Sequence, residues 1–186
     1  IIYLTTLQGI KDALLEGLAK GEGNFVGFKN LFRVPLSFEE EQSVTQETAL
    51  SIRKASNSLA SKNLDLIYIL CSRQNSPLYQ ACKAELLGNG IPSQVIIGER
   101  LANPTQRQWI LENIALASYA KVGGTPWVVA SPKKERQLIL GVSRVQDYNK
   151  TFLVGFVTLF TQDGDFLLMH SKAPYFNWDK YVEGLS

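Results

Sequence analysis

The chain has 186 residues, 45% of them apolar and 19% charged, with a formal net charge of +2. That length allows one domain or one and a half, and the apolar share suffices for a packed core, which excludes a disordered chain. No apolar run approaches the length of a membrane span, two cysteines are too few for a disulfide framework, and so small a net charge argues neither for nor against nucleic acid. Cys71 and Cys82 read as buried thiols in a reducing cytoplasm. The first residues, IIYLTTLQGIKDALLEGLAK, lack a basic region before an apolar core and are not a signal peptide. They also lack an initiator Met, so the sequence reads as a piece of a longer chain or a processed product.

Leu4 to Lys20 has apolar residues at helical spacing, and Gly21 and Gly23 stop that helix. Phe25 to Phe38 is aromatic-rich with Pro35 inside it, and predicts short strands or an extended edge segment. Thr45 to Lys62 predicts a helix with Leu50, Ile52, Ala55 and Leu59 along one stripe and Asn63 as C-cap. Leu64 to Cys71 is a continuous apolar run, the pattern of a strand buried on both faces. Ser76-Pro77 opens a helix that reaches Leu87, and Gly88-Asn89-Gly90 ends it. Ser93 to Ile97 is a second buried strand, and Asn103-Pro104 starts a helix whose Trp109, Ile110, Ile114, Leu116 and Ala117 should point inward. Pro126 to Ala130 is a third strand. Strand, helix, strand, helix, strand is a doubly wound α/β unit, with ligands expected beyond the carboxyl ends of its strands. After a linker at 131–135 the period changes. Leu138 to Val145, Phe152 to Phe160 and Phe166 to His170 predict an antiparallel meander, with Asp163-Gly164 as the last turn. Asn177 to Tyr181 would begin a further helix.

Four residues in the α/β unit share one chemistry. Tyr79 and Lys83 lie four apart, hence on one helix face. Gln94 stands in the second strand, and Lys121 ends the long helix before Gly123-Gly124. An aromatic ring, two ammonium groups and an amide suit a terminal phosphate that carries a base: the ring stacks on the base and the polar groups hold the oxygens. Taken singly each has a plainer reading. Tyr79 is a half-buried packing residue, Lys83 a surface lysine, Gln94 a strand-end amide, and Lys121 a cation that offsets the helix dipole.

The stretches SPLYQACK, IPSQ and AKVGGTPW resemble the Mid domain of Argonaute proteins, closest to the short prokaryotic ones. In that family a Tyr-Lys-Gln-Lys set holds the 5′-phosphate of a guide strand, and the matching residues are Tyr79, Lys83, Gln94 and Lys121. The resemblance implies a Rossmann-like Mid domain with a parallel sheet, followed by the first antiparallel strands of a ribonuclease-H-like PIWI domain. It sets off residues 1–43 as an N-terminal segment, 44–131 as the guide-binding domain and 132–186 as the start of PIWI. Asn113, two helical turns before Lys121 and expected to face the same way, is a candidate for a further guide contact. A magnesium ion at the 5′-phosphate pocket of the complete protein is also implied, with that protein's C-terminal carboxylate as a ligand. The implied partners are a short guide RNA or DNA, its complementary target and an effector protein. The implied setting is cytoplasmic defence against phages and plasmids in prokaryotes, with no membrane involved.

Slicing Argonautes place an Asp in the first PIWI strand to bind the metal pair that cuts the target. Here that strand reads LILGVSRV, and Ser143 stands where the Asp is expected. A hydroxyl does not replace a hard anionic metal ligand, so no enzymatic activity is expected. Asp147 lies past the strand, Asp163 and Asp165 fit turn roles, and His170 has no partner at nucleophile spacing. Lys133, Lys134 and Arg136 make either a basic strip for a phosphate backbone or a solvated loop. Two other classes stay open. One is an α/β sensor or enzyme for a small phosphorylated metabolite. The other is a pure interaction module in which exposed Phe25, Phe28 and Phe32 bind a partner chain.

Overall fold

The computed structural model describes residues 1–74, 76–127, 138–146, 153–161 and 164–171. They belong to two compact units, Ile1–Pro126 and Trp127–Ser186. The predicted strand at 126–130, the linker at 131–135, the helix from Asn177, and Asp147 and Asp163 fall wholly or partly outside the described residues.

In the first unit a four-stranded parallel sheet runs in the order β2-β1-β3-β4, with β1 Ile2–Leu4, β2 Gln42–Val44, β3 Ile67–Cys71 and β4 Ser93–Ile97. Residues 1–43, read from the sequence as a segment apart, thus supply an inner strand of this sheet. The helix expected from Leu4 begins later. A 3-10 turn at Thr5–Leu7 intervenes, and α1 spans Gln8–Lys20. Phe25 to Phe38 forms no strand: α2 occupies Phe28–Phe32 after Gly27, and the chain then runs without regular secondary structure to β2. α3 spans Ala49–Ala60, capped by Thr48, whose side-chain oxygen accepts the Ser51 N–H at 3.2 Å. Its C-cap is Ser61, not Asn63.

Alternation along the strands sorts the core into two layers, as it must when both faces of a sheet are covered. Tyr3, Tyr68, Leu70 and Ile96 pack with Leu14 and Leu18 of α1 and with Leu111, Ile114 and Ala115 of α6 (Pro104–Lys121). Ile2, Ile67, Ile69 and Cys71 pack on the other side with Ile52, Ala55 and Leu59 of α3 and Leu86 of α4 (Ser76–Gly88). α1 and α6 approach closely: a Cβ at Gly17 would stand 2.5 Å from a Leu111 methyl carbon. Four inward expectations fail. Leu50 and Trp109 are exposed, and Leu116 and Ala117 are only half-buried. α6 turns Leu111, Ala115 and Ser118 inward instead, and the Ser118 Oγ accepts the buried Tyr68 hydroxyl at 2.9 Å. A short α5, Gly98–Leu101, links β4 to α6, whose N-cap Asn103 accepts the Thr105 N–H at 3.1 Å.

The described part of the second unit is an antiparallel meander: β5 Leu138–Gln146, β6 Leu153–Thr161 and β7 Phe166–Ser171. Gly164 takes φ of +94° in the last turn, where the Asp165 N–H donates to the Thr161 Oγ1 at 3.0 Å.

Candidate functional site

α4 leaves the carboxyl side of β3, runs back along the sheet and turns at Gly90 (φ +69°) into β4. That path sets the second turn of α4 against the first residues of β4, and α6 ends at the same place. Lys83 and Lys121 come together there through one backbone atom, and Tyr79 and Gln94 each adjoin one of the two lysines. The Lys83 Nζ donates to the Ser93 carbonyl and, at 2.9 Å, to the Ser93 Oγ. The Lys121 Nζ donates to the same carbonyl at 2.9 Å and to the Gln94 Oε1. The Gln94 Nε2 in turn donates to the Val95 carbonyl at 3.0 Å. The Lys83 ammonium lies 5.8 Å from the centroid of the Tyr79 ring, within cation-π range.

Two ammonium groups on one carbonyl oxygen repel each other. Lys121 registers the strain: desolvation first, and then the Lys83 charge, lower its pKa below the ordinary lysine range. Lys121 makes no ion pair among the described residues. Such a cluster attracts an anion with several oxygens. It opens to solvent, since Tyr79 is 48% exposed and Lys121 is exposed as well. Asn113 is also exposed, but eight residues back on α6 it is about 12 Å from Lys121 along the axis and turned roughly 80° away. It does not join the four.

Beside the cluster lies a cavity of about 430 Å³ beyond the carboxyl ends of β3 and β4. Cys71 and Ile97, the last residues of those strands, line it with Arg73, Gln74, Arg100 and Tyr79. Tyr79 therefore borders both the cluster and the cavity. The sequence pattern led to ligands being expected at this carboxyl end, whereas the four residues gather at the amino end of β4; Arg73, Gln74 and Arg100, which line the cavity, were not singled out in the sequence. Nor was Ser93, whose contribution is a backbone carbonyl and leaves no trace in side-chain chemistry.

The second unit holds Ser143 exposed on β5, in register with Phe156, and His170 exposed on β7, opposite Val157. No group of three or more His, Cys, Asp or Glu residues suited to a metal occurs among the described residues. The interaction-module reading loses its aromatics. Phe25 and Phe28 are buried, and Phe32 stacks on Tyr119 at 4.2 Å between ring centroids. No helix among the described residues is long and apolar enough to cross a membrane.

A Rossmann-like parallel sheet followed by an antiparallel meander is the arrangement of Argonaute Mid and PIWI domains. The crystal structure of Drosophila Piwi matches 99% of this chain and 25% of its own at a TM-score of 0.74 and 14% identity. The Mid-PIWI domains of N. crassa QDE-2 match 91% of this chain and 50% of their own at 0.59 and 14%. At such identities the likeness is one of fold. The Piwi domain family matches residues 65–174, and the chain belongs to that family. A protein argonaute of Cereibacter sphaeroides is 34% identical over 97 residues, which are 48% of this chain and 12% of the relative. The chain thus spans about an eighth of that protein's length.

Proposed function

We propose that this chain holds the 5′-phosphate end of a short guide strand at Tyr79, Lys83, Gln94 and Lys121, and presents the guide for pairing with a complementary target. The observation that carries the reading is the pair of ammonium groups crowded onto the Ser93 carbonyl. A phosphate carries up to two charges and three free oxygens. Placed between the lysines, it would relieve their repulsion and replace a neutral acceptor by charge-assisted bonds. The Gln94 amide adds a polar contact, and the exposed Tyr79 ring offers a stacking platform to the first base. Asn113, further along α6, would meet the guide away from its first phosphate. Exposure of the cluster supports a long ligand over an enclosed phosphorylated metabolite, because a chain can leave the site into solvent. Sequence would be read by base pairing while the protein supplies backbone contacts.

The described donor set does not suit a magnesium ion by itself. Its oxygen donors, the Ser93 carbonyl and the Gln94 Oε1, already accept from ammonium groups, and both ammoniums repel a divalent cation. No step here is routed through a metal. With Ser143 where a carboxylate ligand is expected, guided binding without target cleavage is the proposed outcome, and an effector protein would act on the signal in prokaryotic cytoplasmic defence. Incubating the chain with guide, paired target and magnesium or manganese should leave the target whole; guide-directed cutting abolished by chelator would contradict this.

Direct binding tests the phosphate reading. Guides of RNA and DNA, each with a 5′-phosphate or a 5′-hydroxyl, are titrated at one salt concentration, since salt alone shifts such affinities. The phosphate should tighten binding by about ten-fold or more, the scale of one or two charge-assisted hydrogen bonds. Equal affinity for phosphate and hydroxyl ends would refute it.

A further inference from the structure

We propose that a groove beside residues 34–40 docks a peptide segment of a protein partner, one that offers an apolar side chain flanked by lysine or arginine. The inference stands apart from the guide reading. None of the groove residues belongs to the lysine cluster or to the cavity at the carboxyl ends of β3 and β4.

Residues 33–41 join α2 to β2. Arg33 ends α2 at φ 61°, the one positive φ outside glycine among the described residues, and turns the chain off the helix. Leu36 and Phe38 then pack against the core layer of Tyr3 and Tyr68, with the Phe38 and Tyr68 ring centroids 6.3 Å apart. Pro35, Ser37 and Glu39 are exposed. Alternate side chains hold this segment, and its backbone does not. From Val34 to Glu39 no N–H or carbonyl makes a hydrogen bond with another described residue. Main-chain groups left open in this way are those that an added peptide pairs with.

Between this segment, the approach to β3 at 63–66 and the end of α6 lies a cavity of about 190 Å³. Phe28 and Tyr68 are buried in its lining, while Val34 and Val122 stand 39% and 44% exposed at it. The volume is below that of most small-ligand sites and suits one apolar side chain. Glu39 and Asp65 line the same cavity. Both are exposed, and neither makes an ion pair among the described residues. Glu40, also in the lining, is held by the Lys62 Nζ at 3.3 Å. No lysine or arginine occurs between Arg33 and Arg53, so the segment itself supplies no counter-charge. Two open carboxylates repel a phosphate backbone, which sets this groove apart from a nucleic-acid path, and they attract ammonium and guanidinium groups. An apolar pocket, open main-chain groups and an acidic rim together fit a basic peptide with one apolar anchor.

The test begins with a library of random peptides displayed on phage, selected on the intact chain and, separately, on the double variant Glu39→Lys with Asp65→Lys. Both changed residues are exposed. Peptides enriched on the intact chain should carry an apolar residue beside Lys or Arg. Those enriched on the variant should carry Asp or Glu in the basic positions. In solution the basic peptide should bind the variant about five-fold or more weakly than the intact chain, the scale of two exposed ion pairs turned to repulsion. Replacing its basic residues by glutamate should restore binding to the variant, an exchange that damage to the fold does not produce. Val34→Asp should weaken the basic peptide on the intact charge background, because it places a carboxylate in the apolar wall. Amide NMR shifts on adding the peptide should centre on Leu36, Glu39 and Asp65. No enrichment above background overturns the proposal, as do enriched peptides without basic residues, an affinity unmoved by the charge reversal, or shifts confined to other surfaces. Self-association of the intact chain that the double variant abolishes overturns it too, and assigns the groove to a second copy.

Discussion

β3 and β5 are written in the same kind of text and meet different surroundings. IYILC and LILGV are both continuous apolar runs. All five residues of β3 are buried, with α1 and α6 against one face and α3 and α4 against the other. In β5 neighbours that point to opposite faces are both open, Ile139 at 45% and Leu140 at 62% exposure. An apolar run states that both faces of a strand are fit to be covered; it does not state by what. The polar residues divide in the same way. In the first unit two lysines converge on one carbonyl, one of them beside an aromatic ring and the other bonded to an amide, whereas in the second Ser143 stands exposed opposite Phe156.

The largest contrast should appear in stability. Leu70→Ala removes a side chain that is 1% exposed and should cost about 2–5 kcal/mol, whereas Leu140→Ala should stay within roughly 0.5 kcal/mol. Urea unfolding of the two variants checks this. Equal losses would mean that β5 is as covered as β3 and would break the comparison. Next in size is the stacking platform. Tyr79→Ala should weaken a 5′-phosphorylated guide by roughly 1–3 kcal/mol, and Tyr79→Phe, which keeps the ring, by far less. Equal losses in the two variants would assign the effect to the hydroxyl instead.

A smaller effect follows from Lys121. Its proton is held less firmly than an ordinary lysine's, through desolvation and the Lys83 charge. Affinity for the phosphorylated guide should therefore rise as the phosphate gains its second charge, near pH 6. It should then fall on the alkaline side at a lower pH than an unperturbed lysine would give, as Lys121 deprotonates. Lys121→Arg should move that alkaline fall upward, because a guanidinium keeps its proton. An unchanged profile in Lys121→Arg would show that another group titrates.

The sequence disclosed what depends on local pattern. β4 and the run of β3 stand where apolar continuity put them, α4 and α6 begin at their Ser-Pro and Asn-Pro signals, and the meander follows the change to strand period. β1 and β2 were not legible. Three residues each hold no measurable period, and only pairing with distant partners makes them strands. Trp109 misled because an aromatic at helical spacing counts as inward, yet α6 is rotated so that Leu111, Ala115 and Ser118 meet the sheet. The four site residues were chosen by chemistry and resemblance, and the structure joins the two lysines through an atom no side chain announces, the Ser93 carbonyl.

The central claim is that Lys83 and Lys121 act on one guide phosphate and are not general attractors of the backbone. The measurement that tests it most directly is a double cycle at one fixed salt concentration: intact chain and Lys121→Ala, each titrated with 5′-phosphate and 5′-hydroxyl guide. The account predicts that Lys121→Ala weakens the phosphorylated guide by about ten-fold or more and barely alters the hydroxyl guide, so that removing the phosphate costs the intact chain far more than the variant. If the two losses simply add, Lys121 attracts the strand at large and the pocket assignment is wrong.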